Sequence, residues 1–179
     1  MFPILETERL LLRELTLNDK EDIFSILSNS KVTRFYGRDT LKNVEEAQES
    51  ILFFRNKFSE KKGIRWGIVT KETNELIGTI GFDGWLQNQK RAEIGYEISP
   101  AHWKRGFASE AIKKVLLYGF TFLELLRIGA VVFPENEPSN ILMVKMGFKK
   151  EGLLRNYIHQ NGTSHDTFVY SIIDTDFFN

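Results

Sequence analysis

A strand–helix–strand pattern in the middle of the chain constrains the fold most. Residues 91–99 (RAEIGYEIS) alternate between apolar side chains and polar or small ones, which predicts a strand with one buried face. Residues 108–123 carry apolar side chains at the three- and four-residue spacing of an amphipathic helix. Residues 127–133 (RIGAVVF) are a continuous apolar run, typical of a strand buried on both faces. We therefore expect one central crossover over about residues 91–133.

The segments before this crossover predict a strand, two helices and a hairpin. Residues 8–14 are a short strand candidate. Asn18 and Asn43 are each followed three residues later by glutamate, a spacing that predicts helix starts with a capping box. Residues 64–70 and 75–82 are rich in β-branched and aromatic side chains and are separated by four polar residues, which predicts a hairpin.

The segment after the crossover predicts one more helix and a second hairpin. Asn136, followed by Pro138, is a typical helix start, and Gly147 is a typical left-handed helix end. Asn161-Gly162 is a strong two-residue hairpin signal. The fold class is thus α+β (mixed α/β), with a mostly antiparallel mixed sheet of about seven strands and four helices. A length of 179 residues predicts one domain over residues 1–179.

Composition excludes several classes of function. The chain has no cysteine, and its three histidines lack metal-ligand spacing, so we expect neither a disulfide nor a metal site. Its 24 basic and 24 acidic side chains give no net charge, whereas binding to nucleic-acid phosphates favours a basic excess. The longest apolar stretch, residues 115–123, is far shorter than the roughly 20 residues that a membrane span needs. We expect a cytoplasmic protein without a nucleic-acid or membrane partner.

The loop between the first central strand and the helix carries the clearest functional signal. Residues 103–108 read WKRGFA, with Lys104 and Arg105 just before Gly106. The first turn of a helix has unpaired N–H groups and a partial positive charge, and a glycine there allows close approach of a ligand. These features predict a site for an anionic ligand such as a pyrophosphate. The loop is neither a Walker loop nor a Rossmann fingerprint.

In its combination of motifs the chain resembles the GCN5-related N-acetyltransferases (GNAT), in particular their ribosomal-protein N-acetyltransferase-like branch (RimJ/RimL type). Gly106 and Ala108 match the last two positions of that family's pyrophosphate loop, and Trp103 stands at the first position, as it usually does in this branch. Three further segments are similar to the branch over nearly the whole chain. They are ETERL at 6–10, EIGY at 93–96, and the helix that contains Asn136, Ser139 and KMGF at 145–148.

The resemblance implies acetyl-coenzyme A (acetyl-CoA) as cosubstrate and no metal. It implies that the two central strands splay apart and hold the pantetheine arm in the gap between them. The residues that it assigns to cofactor binding are Ile98, Lys104, Arg105, Gly106, Phe107, Ala108, Ser109, Asn136 and Ser139.

The resemblance also implies the catalytic residues. Glu93 matches best the glutamate that takes a proton from the amine, and Glu97 is the alternative on the same strand face. Many family members have a tyrosine as the acid where this chain has Met143, which cannot donate a proton. Ser139 is the substitute that the branch suggests, with Tyr157 or bulk water as alternatives.

The acceptor is the least defined part of the expected reaction. The branch implies a protein or peptide N-terminal α-amine. Residues 34–39 and 156–163 are the two segments expected to flank it, and they bring side chains that can pack on a peptide or bond its backbone: Phe35, Tyr36, Tyr157, Gln160 and Asn161. Among these segments only Asp39 is acidic, whereas a polyamine pocket needs several carboxylates. The alternatives are the same chemistry on a small amine (polyamine, amino sugar, amino acid or antibiotic) and a non-catalytic acyl-CoA-binding or sensing module. Homodimerisation is implied by resemblance alone.

Overall fold

A computed structural model describes residues 1–179, which form a single eight-stranded sheet and six α-helices. In chain order the strands are β1 (Leu5–Glu6), β2 (Leu10–Glu14), β3 (Ile64–Thr70), β4 (Leu76–Leu86), β5 (Arg91–Ile98), β6 (Arg127–Val132), β7 (Lys149–Gln160) and β8 (Thr163–Ile173). The helices are α1 (Lys20–Leu27), α2 (Ser30–Thr33), α3 (Val44–Ser59), α4 (Phe107–Thr121), α5 (Glu137–Lys145) and α6 (Asp174–Phe178).

The sheet order is β1-β2-β3-β4-β5-β6-β8-β7. Every neighbouring pair is antiparallel except β5 and β6, which are parallel and are joined by α4. This confirms the predicted mixed, mostly antiparallel sheet with one central crossover. The structure has eight strands and six helices where we predicted about seven and four, because β1, α2 and α6 are too short to produce a periodic apolar pattern.

The first helical segment begins earlier than predicted. Asn18 lies inside a 3₁₀ turn, Leu17–Asp19, and is not the cap. Asp19 instead accepts a hydrogen bond from the Thr16 N–H at 2.7 Å, and its carboxylate is held by the Arg13 guanidinium at 2.7 and 2.9 Å. An arginine on β2 therefore determines where this segment starts, and local spacing alone does not reveal that contact.

The other predicted helix starts and turns are confirmed, but the capping box at Asn43 is incomplete, because the Glu46 carboxylate accepts from the Lys42 N–H and not from the Asn43 N–H. The Asn43 side chain accepts from the Glu46 N–H at 3.0 Å and begins α3, and Asn136 caps α5 in the same way. Asn161 and Gly162 have φ values of 51° and 72°, the left-handed conformations that a two-residue hairpin turn needs.

Apolar side chains bury both faces of the sheet. On one face α4 contributes Ile112, Val115 and Leu116 to a cluster of 26 buried residues. On the other face α1 and α3 contribute Ile23 and Ile51 to a cluster of nine. The sheet is thus a central layer between two helical layers, and β5 and β6 lie in its middle. No helix combines the length and apolarity that crossing a bilayer requires.

Candidate active site

The central feature of the site is a gap between β5 and β6. The two strands pair only over their first three residues, ending where Glu93 faces Gly129. Beyond that point β5 continues to pair with β4 and β6 with β8, but not with each other. The splayed strands predicted from the resemblance are therefore present, and their opening leads towards the start of α4.

Backbone groups of β5 face this gap. Ser99 donates its N–H to the Ile77 carbonyl on the β4 side. Because consecutive residues of a strand direct their hydrogen-bonding groups to opposite edges, the N–H groups of Tyr96 and Ile98 point towards the gap. The Trp103 indole donates to the Ile98 carbonyl at 2.6 Å, which fixes the start of the following loop against the strand. An extended ligand could pair with this edge as an added strand would.

The loop before α4 has the geometry of an anion site. Lys104 and Gly106 both have left-handed φ values, 60° and 81°, and no side chain caps the first turn of α4. The first amides of the helix are therefore free to bind an anion such as a pyrophosphate, assisted by the helix dipole. A Cβ atom at Gly106 would lie 3.4 Å from the Arg9 guanidinium, and a side chain there would also be strained by the positive φ.

The residues just before strand β2 hold this loop in place. Glu110, in the first turn of α4, accepts hydrogen bonds from the Thr7 hydroxyl at 2.5 Å and from the Arg9 side chain and N–H at 2.7 and 2.9 Å. Arg9 also donates to the Arg105 carbonyl at 2.9 Å. Burial opposes the charge of Glu110, but these hydrogen bonds outweigh it and hold its pKa below the usual range. The ETERL segment thus acts as a brace for the anion loop.

Most predicted site residues line one cleft of about 1250 Å³. Those that do are Glu93, Ile98, Lys104, Gly106, Phe107, Ala108, Ser109, Asn136 and Ser139. Arg105 does not line the cleft, and its guanidinium stacks on the Phe107 ring, 5.0 Å from the centroid. The phenyl ring of Phe107 is buried in the core, so only its backbone is available to a ligand.

The two glutamates of β5 have different surroundings. Glu97 is buried and accepts from the Arg65 guanidinium at 2.6 Å and from the Thr79 hydroxyl. Burial raises the pKa of Glu97, and the Arg65 charge opposes that rise. Glu93 is half-buried at the narrow end of the gap, and its carboxylate forms no ion pair or hydrogen bond in the structure. Only Glu93 is therefore free to accept a proton from a bound molecule.

The start of α5 brings a second group of polar side chains to the gap. The Asn136 side chain accepts from the Ser139 N–H at 3.4 Å, and the Ser139 hydroxyl is 2.8 Å from the hydroxyl of Tyr96 on β5. Asn140 donates to the carbonyls of Phe133, Pro134 and Asn136, which fixes the turn before the helix. Met143 is fully buried and lines the cleft with an apolar side chain.

The two segments predicted to hold the acceptor contact each other. Gln160 is buried, donates to the Thr33 carbonyl at 2.7 Å and accepts from the Gly37 N–H at 3.0 Å. The Asn161 N–H donates to Asp39 at 2.8 Å. Gln160 therefore links the two walls and is not available to an acceptor. Tyr157 is half exposed and does not line the cleft, whereas Ile158 does.

Sequence reasoning did not identify several residues that shape the site. Arg65 binds Glu97, which lies 32 residues further along the chain, and Asn140 binds the carbonyl of Phe133, seven residues before it. Tyr96 contacts Ser139, which lies 43 residues further along the chain. Tyr96 alternates with polar residues on β5 as an apolar side chain would, so the sequence pattern does not indicate a role for its hydroxyl. No set of three or more histidine, cysteine or carboxylate side chains is arranged to hold a metal ion.

Comparison with known proteins identifies the family. Residues 9–149 match the family described as an acetyltransferase (GNAT) domain. The chain is 58% identical over 173 residues to YoaA of Bacillus subtilis (strain 168), which is named as an N-acetyltransferase, and the match covers 97% of this chain and 98% of YoaA.

Solved structures agree with this assignment. Spermidine N-acetyltransferase from Vibrio cholerae, in complex with CoA and spermine, is 25% identical with a TM-score of 0.85, covering 97% of this chain and 100% of that one. RimL, a ribosomal L7/L12 α-N-protein acetyltransferase in complex with CoA, has a TM-score of 0.84 at 18% identity, covering 96% and 98% of the two chains, and shares the fold. The chain belongs to the GNAT family of acetyltransferases and is an N-acetyltransferase.

Proposed function

We propose that this N-acetyltransferase transfers the acetyl group of acetyl-CoA to a primary amine, and that the acceptor is a protein or peptide N-terminal α-amine. The observation that carries the proposal is the gap between β5 and β6, which opens onto the uncapped first turn of α4. A long ligand with a pyrophosphate at one end and an extended arm at the other fits this combination.

On the donor side, we propose that the pyrophosphate binds the amides of residues 104–109. Lys104 contributes positive charge at the loop, and Gly106 and Ala108 keep the approach open. The Ile98 N–H faces the gap and is the proposed donor to the thioester carbonyl oxygen, where negative charge develops. Arg105 contributes through its backbone, since its guanidinium lies outside the cleft.

On the acceptor side, we propose that Glu93 takes a proton from the amine. An amine with a pKa of about 8 is largely protonated at neutral pH and must lose a proton before it attacks. Glu93 lines the cleft without a charged partner, whereas Glu97 is already bound to Arg65. The departing thiolate requires an acid, and Ser139 is the hydroxyl that lies at the gap beside the start of α5.

The charged side chains that line the acceptor part of the cleft favour a peptide over a polyamine as the acceptor. Asp83 and Glu97 line this part, but Lys57 and Arg65 neutralise them at 2.8 and 2.6 Å. Arg34 and Arg38 also line the cleft and form no ion pair. Glu93 is therefore the one carboxylate lining the cleft that has no basic partner. A polyamine, which carries several positive charges, would instead face the two unpaired arginines.

A small amine is the second candidate acceptor. The observation that favours it is the likeness in sequence and structure to spermidine N-acetyltransferase in complex with spermine. That likeness covers nearly the whole of both chains.

Replacing Gly106 tests the donor. Gly106→Glu adds a side chain where φ is +81° and a negative charge where the phosphates are proposed to bind, so calorimetry is expected to show no binding of CoA. Gly152→Glu is the matched control, because a side chain at Gly152 meets no atom within 4 Å. Equal CoA affinity in Gly106→Glu and the parent protein would refute the donor site.

An acceptor panel tests the substrate. Thiol release from acetyl-CoA is measured with an N-terminal peptide library and with spermidine, lysine, amino sugars and other small amines. We expect peptides with a free α-amine to react fastest. Turnover of a small amine without peptide turnover would establish the second candidate, and CoA binding without thiol release for any amine would indicate a non-catalytic binding module.

The setting of the enzyme is also a proposal. We propose one N-acetyltransferase domain over residues 1–179, working in the cytoplasm. Homodimerisation is proposed from the family resemblance, and light scattering of the purified protein measures it directly.

A further inference from the structure

Two hydroxyl groups meet at the wide part of the gap. The phenol oxygen of Tyr96, on β5, lies 2.8 Å from the hydroxyl oxygen of Ser139, in the first turn of α5. Both residues line the cleft. The contact joins β5, one wall of the gap, to α5, the helix that follows β6, the other wall. It therefore forms only when β5 and α5 are folded against each other.

Neither hydroxyl has another hydrogen-bond partner within the protein. The Ser139 backbone N–H is bound by Asn136, which fixes the residue, while its side-chain oxygen contacts Tyr96 alone. A phenol is a stronger acid than an alkyl alcohol, so the favoured direction is from the Tyr96 O–H to the Ser139 oxygen. The Ser139 O–H is then left as a free donor beside the cleft.

Serine alone is poorly matched to the task that the proposed function gives it. A thiol has a pKa near 8.5 and a phenol one near 10, whereas an alkyl alcohol holds its proton far more tightly than either. Proton transfer is efficient when donor and acceptor have similar pKa values. A phenol behind the serine therefore supplies the acidity that the serine lacks.

We propose that Tyr96 is the proton source for the departing thiolate and acts through Ser139. This inference rests on the proposed acetyl transfer. As the amine nitrogen forms its bond to the acetyl carbon, the carbon–sulfur bond breaks and its electron pair stays on sulfur. Sulfur takes the Ser139 hydroxyl proton, and the Ser139 oxygen takes the Tyr96 phenol proton. Glu93 holds the proton lost by the amine, and solvent returns one proton to the tyrosinate and removes one from Glu93.

The surroundings of Tyr96 keep its phenol protonated. Burial raises the pKa of Tyr96, and the hydrogen bond to Ser139 opposes that rise. The phenol is therefore protonated throughout the neutral range. Met143 lies at the position where many relatives carry the acidic tyrosine, and the phenol of this chain reaches the same gap from the neighbouring strand instead.

A set of four variants tests the relay. Tyr96→Phe and Ser139→Ala each remove one hydroxyl, and the double variant removes both. Tyr118→Phe is the matched control, because the Tyr118 phenol lies on α4, does not line the cleft and forms no hydrogen bond with the site. The measurements are kcat for thiol release from acetyl-CoA, with the fastest acceptor of the peptide and amine panels, and CoA affinity by calorimetry.

A loss of general acid catalysis lowers turnover by roughly 10²-fold or more. We expect such a loss of kcat in Tyr96→Phe, with CoA affinity unchanged, and no further loss when Ser139→Ala is added to it. Tyr118→Phe keeps the parent kcat. Replacing Tyr96 with 3-fluorotyrosine lowers the phenol pKa, and we expect the alkaline limb of the kcat–pH profile to move to lower pH, which a purely structural role would not produce.

Three results would overturn the relay. Full kcat in Tyr96→Phe alongside a slow Ser139→Ala would show that serine acts alone. Losses that multiply in the double variant would show two independent roles. A structural role would be shown if Tyr96→Phe bound CoA more weakly or were less stably folded, and if the kcat–pH profile of the fluorotyrosine protein did not move. Failure of the proposed function is distinct, because the parent protein itself would then bind CoA and release no thiol with any acceptor.

Discussion

Two glutamates four residues apart on β5 show how strongly position along one strand face decides chemical role. The alternation of the strand places Glu93 and Glu97 on the same face, and that much follows from the sequence. The sequence could not reveal that Arg65, on another strand, binds Glu97 and leaves Glu93 free. Long-range ion pairs depend on sheet register, which local patterns do not specify.

Substituting the two glutamates separates their roles. Glu93→Gln is expected to lower kcat by about 10²–10⁴-fold while CoA affinity and stability stay unchanged, because it removes the proposed general base, whose carboxylate supports no other contact. Steady-state kinetics and calorimetry measure this.

Glu97→Gln is the comparison. It removes the charge that Arg65 faces in the core, and breaking a buried ion pair costs about 3–5 kcal/mol of unfolding free energy. Urea denaturation should show that loss. If Glu97→Gln lowered kcat without loss of stability while Glu93→Gln stayed active, Glu97 and not Glu93 would be assigned as the general base.

At the scale of elements, the start of α4 depends on a neighbour distant in the chain. The glycine loop and the helix that follows could be predicted from residues 103–123, since their signals are local. Glu110 reads as an ordinary first-turn acid, and only the fold shows that it fixes Thr7 and Arg9. The gap itself could be expected from the resemblance and not from periodicity, because unpaired strand edges leave no pattern in a sequence.

Glu110→Gln tests this brace. The amide keeps the size of the side chain but loses the ion pair with Arg9, whose side chain is 45% exposed, and a partly exposed pair of this kind is worth about 0.2–1 kcal/mol. We expect weaker CoA binding by calorimetry with the fold retained. Glu124→Gln removes an exposed glutamate beyond the far end of α4 and should bind CoA like the parent. Equal affinity in both variants would show that the anion loop holds its shape unaided.

A second prediction at this scale concerns Gln160, which links residues 34–39 to residues 156–163, the two segments proposed to flank the acceptor. Gln160→Ala leaves the Gly37 N–H without a partner, at a cost of about 1–3 kcal/mol, and removes one of the two hydrogen bonds of the Thr33 carbonyl, which keeps the Tyr36 N–H at 3.0 Å. We expect the acceptor KM to rise while CoA affinity is unchanged, because the anion loop lies elsewhere. A change in CoA affinity with no change in acceptor KM would contradict this arrangement of the walls.

At the scale of the whole molecule, folding and ligand binding are linked through the sheet. A ligand that binds only the folded chain adds about 2.7 kcal/mol of stability at 100 times its Kd. We expect the Tm to rise with CoA concentration in the parent protein and to stay constant in Gly106→Glu. A Tm shift of equal size in both proteins would place CoA outside the proposed loop.

The pH dependence of stability also belongs to this scale. In Asp19, Asp83 and Glu110 burial opposes the charge, but basic and hydrogen-bonding partners outweigh it and hold each pKa below its usual value. The hydrogen bond from Arg127 is the main cause that lowers the pKa of Glu151 to about 2. Folded carboxyl groups with lowered pKa values stabilise the fold above the unfolded pKa and lose that effect as pH falls.

We therefore expect the unfolding free energy to be constant near neutrality and to fall below about pH 4.5, the usual range of these groups. Urea denaturation over a pH series measures it. Glu151→Gln should show a smaller fall at low pH than the parent, since it removes one of the groups that must be protonated. A parent protein that is equally stable at low pH would contradict these ion pairs.

The opening between β5 and β6 gives the sheet an edge in its interior. Proteins protect outer strand edges with charges, prolines or bulges, because an exposed edge can pair with a strand of another chain. If the inner edge admits acetyl-CoA, as we propose, it cannot be blocked in this way without closing the reaction path. Substitutions that make β5 and β6 pair along their whole length would therefore raise the resistance of the enzyme to heat and aggregation but lower its activity. Thermostabilising substitutions should accordingly be sought away from the centre of the sheet.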